Sequence, residues 1–441
     1  MIEETKLSVE QSDNKPSCLN SGSNTTAILA LAKGTLGAGI LALPQKAMYS
    51  GIPVFLSLLL ISGFFTAKSI EMIALGARRS GKFVFEEITE ALLGRVMAIV
   101  LGVSMLLNCY GASIVFVIAI KGAFVSLFTQ VQKSTGQDWP LYATLIVGVV
   151  VLIPLSIVEK INSLRLLSLS GVIGVFFTVA SVVYSLSYLG VAENFNDSVG
   201  STIMKPEGGF ISIMTVVSTV TFAFCNQFNV PQVYEEMSDK SSRSVTRVAY
   251  ISTILPMILY ITTAVTGYLC YGLEIEDNIL LNMEPLIDAG KLIIYIGVIA
   301  VALSVSLCHL LNNFPMRLSV LFFLPDHYQN NKWIRYTVPL FTAVSTIAIA
   351  LLYSDLSMFL GLVGASTGSI ICYIVPALFS IRDKQIESEM SQFSSGSVKS
   401  NKWFLLIWNH PVESTMILLG IIIGFVGTFC EFYAAFSPKD D

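Results

Sequence analysis

Eleven apolar runs, most of them long enough to cross a bilayer, follow one another along this chain with only short polar segments between them. They lie at 26–49, 52–76, 96–128, 140–157, 166–190, 210–236, 245–272, 290–323, 334–353, 356–381 and 412–436. About 20 apolar residues span the hydrocarbon core as a helix. Within lipid, only helices and closed barrels satisfy their own peptide groups. With 54% hydrophobic and 13% charged residues, the expected class is an all-α polytopic membrane protein. No nucleophile–base pair stands out, so an enzyme is not expected, nor is a nucleic-acid partner. The seven Cys show neither a disulfide framework nor metal-ligand spacing.

Most of the 26 Lys and Arg fall in segments that are inside if the N-terminus is cytoplasmic. The positive-inside bias therefore predicts a cytoplasmic N-terminus and an extracellular or luminal C-terminus. Residues Met1–Asn24 are polar and lack the apolar core of a cleavable signal, so the first span is expected to act as the anchor. Asn196 begins an Asn-Asp-Ser sequon in a segment placed outside.

The first span carries Gly34, Gly37 and Gly39 near its centre. Each weakens a helix by about 1 kcal/mol relative to Ala. A break near the midplane is tolerable only where it is buried in protein or faces a polar cavity. The sixth span is interrupted in a comparable place by Cys225-Asn226-Gln227-Phe228-Asn229 ahead of Pro231. Pro suits the first turn of a helix and Asn the cap before it, so a second half-helix is expected to start at 230–231.

Dividing the spans into five, five and one places an interrupted span first in each half. An odd number of spans per half makes the halves antiparallel. Two interruptions in corresponding positions point to a transporter site at the repeat interface. The expected organisation is a flexible cytoplasmic tail (1–25), a first five-helix repeat (26–190), an outside loop (191–209) and a second repeat (210–381). A cytoplasmic loop (382–411) and an eleventh helix with an outside C-terminus (412–441) complete it.

The stretch Gly37-Ala38-Gly39-Ile40-Leu41-Ala42-Leu43-Pro44 resembles the first helix of the amino acid/auxin permease family, within the amino acid/polyamine/organocation superfamily. Its Lys33-Gly34 lead-in is similar to the proton-coupled amino acid transporters of that family. The segment from Phe222-Ala223-Phe224-Cys225-Asn226 to Pro231-Gln232-Val233-Tyr234-Glu235-Glu236, with Gly267-Tyr268-Leu269 downstream, resembles the sodium-coupled neutral amino acid transporters. So do Phe314-Pro315-Met316-Arg317 and the run from Gly361 to Gly368. The likeness covers most of 26–381. It implies a leucine-transporter-like fold of two inverted five-helix repeats with helices 1 and 6 broken and an eleventh helix appended.

The resemblance implies a secondary active transporter working by alternating access, probing sodium or proton as coupling ion and needing no other cofactor. Two rivals remain open: an amino-acid-sensing receptor on the same fold, and an uncoupled facilitator. Asn226 stands where the sodium-coupled group often carries His. Cys308 falls near the position of the family's coupling-ion hydroxyl, with Ser304 and Ser306 close by; a thiol is a poor ligand for a hard cation.

From the residues themselves, amides around Gly37, Ala38 and Gly39 at the start of a half-helix form an anion site suited to a carboxylate. The carbonyls from Thr221 to Cys225 would take the ammonium of an α-amino acid. Thr35, Asn108, Tyr110, Ser113, Phe224, Asn226, Ser366 and Thr367 are candidates to surround the substrate. No acidic residue falls among them, which favours a neutral L-amino acid. Lys33 and His309 are coupling-ion candidates because ionisable groups within a membrane are functional by default; Leu36, Ser304, Ser306 and Cys308 join them as what the resemblance implies. The expected protein acts as a monomer in the bilayer of a plasma membrane or of a vacuole or lysosome.

Overall fold

The computed structural model describes residues 22–157, 164–192, 209–325, 332–395 and 410–436. Among these there is no strand. Each of the eleven apolar runs is helical. The first gives α1 (Asn24–Thr35) and α2 (Gly39–Ser50), bent by 59° across a break at Leu36, Gly37 and Ala38. Then come α3 (Ile52–Ser80), α4 (Phe85–Leu93), α5 (Arg95–Thr135), α6 (Trp139–Val147), α7 (Ile153–Ile157) and α8 (Leu164–Leu189). The sixth span divides into α9 (Phe210–Ala223) and α10 (Val230–Glu236). It is followed by α11 (Ser242–Tyr271), α12 (Glu284–Asp288), α13 (Leu292–Phe323), α14 (Lys332–Leu352), α15 (Leu356–Val363), α16 (Val375–Ser395), α17 (Pro411–Ile422) and α18 (Thr428–Phe436).

Among the described residues, seven helices are long and apolar enough to cross a membrane, or nine when each bent pair counts as one span. The second bent pair is in the tenth span, where π-helical turns at Gly364–Gly368 and Ile370–Ile374 join α15 to α16. Trp139–Leu152 and Tyr336–Leu352 are shorter apolar helices. Leu60, Phe64, Val149, Val150, Phe341, Phe425 and Phe429 are exposed. Large apolar side chains turned outward on long apolar helices form a surface for lipid rather than water.

The core forms two clusters. One gathers Leu36, Ile40, Phe55, Phe116, Phe222, Tyr260 and Val298 around the α1–α2 break and α2. The other gathers Leu31, Ile70, Val230, Tyr234, Tyr373 and Phe379 around α1 and α10. The α2–α3 corner is turned by Gly51 at φ 71°, a conformation that costs Gly least.

Three local features differ from expectation. Helix α16 continues to Ser395 where a loop was expected from 382. The run Arg382-Asp383-Lys384-Gln385-Ile386-Glu387 favours helix, and Arg79 pairs with Asp383 at 2.8 Å while Lys384 pairs with Glu413. Secondly, α4 is an amphipathic helix in the segment between the second and third spans; its Phe85 stacks edge-on against Phe379 at 5.9 Å. Thirdly, Gly22, within the segment expected to be a flexible tail, is tied down: its carbonyl accepts the Ser238 amide at 3.0 Å. The remainder of the tail, Asn196 and 396–409 lie outside the described residues.

Candidate functional site

The two interruptions face each other. A Cβ on Gly39 would lie 3.0 Å from the Ala223 Cα, so glycine here brings the start of α2 onto the end of α9. A Cβ on Gly37 would come 3.3 Å from the Phe116 ring of α5. Glycine thus permits helix contact at 39, where close approach of a substrate was expected to require it.

A helix start leaves its first amides without intrahelical partners. Here Leu36 N–H bonds Ala32 O at 2.9 Å and Gly37 N–H bonds Thr35 O at 2.9 Å, while the next amide in use is Leu41, donating to Ala38 O at 3.1 Å. The amides of Ala38, Gly39 and Ile40 have no partner among the described residues, although all three residues are buried. The unused donors therefore sit one residue further on than expected: Ala38, Gly39 and Ile40 in place of Gly37, Ala38 and Gly39.

At the opposing helix end, Phe222 O accepts from Cys225 N–H at 2.9 Å and Val220 O from Phe224 N–H at 3.2 Å. Ala223 O is taken by the Tyr260 hydroxyl at 2.8 Å, which also lies 2.7 Å from Thr35 O. One buried phenol on α11 thereby ties the end of α1 to the end of α9, with its ring edge-on to Phe224 at 5.5 Å. Sequence reasoning passed over Tyr260; the only signal was a phenol in mid-span, which must find a partner when buried. The Thr221 and Phe224 carbonyls accept no backbone hydrogen bond among the described residues.

Several candidates do meet. Asn108 of α5 donates to Thr367 Oγ1 at 3.0 Å and its Oδ1 lies 3.9 Å from Cys225 Sγ, joining α5, the π turn and the sixth-span break. A Cβ on Gly368 would touch Thr221 Cγ2 at 3.3 Å. Tyr110 is half-buried against the α2-side core. Others turn elsewhere. Asn226 donates to Leu31 O at 2.6 Å, pinning the sixth-span break to α1. Asn229 was expected to cap α10, but its side chain donates to Asn226 Oδ1 at 2.6 Å and makes no cap bond. Ser366 Oγ bonds Leu362 O at 2.6 Å and Ser306 Oγ bonds Ala302 O at 2.8 Å, each within its own helix. Ser113 donates to Cys109 O at 2.9 Å and accepts from Asn312 at 3.0 Å. His309 is buried near the Ser113 backbone, with neither ring nitrogen in a well-formed hydrogen bond.

Of the coupling-ion candidates, Leu36, Ser304 and Cys308 converge on Lys33, whereas Ser306 and His309 do not. The Lys33 Nζ donates to Leu36 O at 3.2 Å, Ser304 O at 3.2 Å, Ser304 Oγ at 2.9 Å and Cys308 Sγ at 2.9 Å. Among the buried charges that sequence reasoning did not place in the protein are Lys46 of α2, expected outside, and Glu431 of α18, whose carboxylate packs against Gly361.

A family model described as "Transmembrane amino acid transporter protein" matches residues 20–433. The chain belongs to this family. It is a transporter-family membrane protein and not an enzyme. The "Sodium-coupled neutral amino acid symporter 2" of Danio rerio is 25% identical over 387 residues, covering 82% of this chain and 76% of that protein. "Vacuolar amino acid transporter 5" of Schizosaccharomyces pombe is 27% identical over 366 residues, covering 80% and 82%. Among solved structures, MhsT in complex with L-phenylalanine superposes with a TM-score of 0.59 at 13% identity, covering 93% of this chain and 99% of that one. That likeness carries the fold, of the leucine-transporter class that the family resemblance implied.

Proposed function

We propose that the chain is a secondary active transporter that moves neutral L-amino acids by alternating access between two inverted five-helix repeats, with the eleventh helix appended. The observation that carries this is the trio of buried, unpartnered amides at Ala38, Gly39 and Ile40. Buried donors without partners are rare and call for a ligand or water. At a helix N-terminus they suit an anion, here the substrate carboxylate. The Thr221 and Phe224 carbonyls, across the break, accept the ammonium. Phe116, Asn108, Tyr110 and Thr367 would read the side chain; a Cβ on Gly37 would lie 3.3 Å from the Phe116 ring, and Asn108 donates to Thr367. The absence of an acid among these residues supports a neutral substrate. Sodium or proton drives the cycle, and the protein works as a monomer. The membrane is a plasma membrane or a vacuolar or lysosomal one; the vacuolar relative supports the second, and the positive-inside pattern supports a cytoplasmic N-terminus.

Uptake of labelled neutral amino acids into proteoliposomes, under imposed sodium or pH gradients, tests the reading. Saturable uptake that is lost in Gly39→Val supports it. Saturable binding with no flux under either gradient would replace it with a sensing receptor.

A further inference from the structure

We infer that the cation position beside the first-span break is filled by the chain's own Lys33 ammonium, and that transport therefore proceeds without sodium. This rests on the transporter reading and names the ion that it does not use.

Lys33 is fully buried, and no carboxylate pairs with it among the described residues. Its surroundings are instead neutral acceptors from two separate spans. Leu36 O and Ser304 O are carbonyls and can only accept. Ser304 Oγ spends its own hydrogen on Gly171 O at 3.0 Å, and so accepts from Lys33. Cys308 Sγ lies 3.6 Å from Leu36 O, a donor contact that leaves the sulfur to accept as well. A neutral amine would turn its lone pair toward one of these four acceptors. An ammonium, with three hydrogens and no lone pair, matches the two carbonyls and the hydroxyl oxygen, the thiol sharing one of these hydrogens.

The third span in the site, α8, is shaped for this side chain. A Cβ on Gly171 would lie 2.1 Å from Lys33 Cε, so glycine there opens the slot that the lysine stem fills. Lys33 consequently ties the break to α13 and lies against α8. A cluster of neutral oxygens around a single positive charge is the donor set of an alkali cation, supplied here by a tethered ammonium. The thiol suits that charge better than a hard metal ion, which prefers oxygen. A sodium ion could enter only against a like charge already in place.

The test uses the full-length protein in proteoliposomes, with labelled neutral amino acid and external sodium chloride or choline chloride. Wild-type uptake is expected to agree within about twofold in the two media, and Lys33→Met to fall at least about tenfold in both. Lys33→Ala leaves the four acceptors facing an opening, and sodium over choline should raise its uptake severalfold. Thermal unfolding in detergent reads the same site without flux: sodium is expected to leave the wild-type Tm unmoved and to raise that of Lys33→Ala. Wild-type uptake that requires sodium, or a wild-type Tm raised by sodium, overturns the inference, as does Lys33→Met transporting at the wild-type rate. Absence of any uptake by wild type, with sodium stabilising only Lys33→Ala, removes the transport reading and leaves the lysine assignment standing.

Discussion

The two broken spans solve one problem in opposite ways. In the first, glycine opens the chain and leaves the Ala38, Gly39 and Ile40 amides unused. In the sixth, the break at Phe224, Cys225 and Asn226 runs into a 3₁₀ turn at Gln227–Asn229, and polar side chains close it. Gln227 Oε1 accepts the Asn226 amide at 2.8 Å, Asn226 Nδ2 reaches Leu31 O, and Asn229 holds Asn226 Oδ1. A glycine break presents backbone to whatever enters. An Asn/Gln break satisfies part of itself and becomes a strut, with Gln227 Nε2 and the Thr221 and Phe224 carbonyls left without partners among the described residues. The first break is thus the better candidate for recognition, and the second for holding the recognition element in place.

The sharpest way to break that contrast is Gly39→Val. A side chain there collides with Ala223 and separates the two breaks. Misplacing a binding element by an ångström costs about 100-fold, so uptake should be abolished while surface expression persists; normal uptake would remove the first break from function. Tyr260→Phe keeps the ring and deletes the hydroxyl between Thr35 O and Ala223 O. Stranding buried carbonyls costs about 1–3 kcal/mol, expected as a lower Tm together with reduced uptake. Asn226→Ala separates strut from substrate contact. As a strut it should lose about 1 kcal/mol of stability with KM unchanged; a raised KM at unchanged Tm would place Asn226 in the substrate pocket. Smallest of all, Lys384→Ala removes the partly exposed pair with Glu413. Such pairs are worth about 0–1 kcal/mol, so Tm should barely move and uptake not at all.

Much of this was readable in advance because it depends on local chemistry. Gly37, Gly39 and Pro231 mark where helix propensity fails, and α2 and α10 begin at Gly39 and Val230 accordingly. Lys33 also stood out, as a charge about 10 Å in from the start of the first span. Tyr260 and Gly171 did not. A phenol or a glycine in an apolar helix has no distinctive pattern until the neighbouring helix supplies a pair of carbonyls or a lysine stem. Lys46 and Glu431 were missed for a related reason: each lies near the end of an apolar run, where snorkelling is the ordinary expectation, and only packing shows them buried.

The amino-acid order by itself determined that the chain is a helical membrane protein, where its helices give way, and which family its motifs match, because apolar run length and backbone propensity act over a few residues. The tertiary structure alone decided which exposed peptide groups stay unused and which are claimed, since Tyr260, Asn226 and Lys33 reach partners 225, 195 and 271 residues away along the chain. Hydrogen bonds over such separations are set by how helices pack, and no local pattern encodes them.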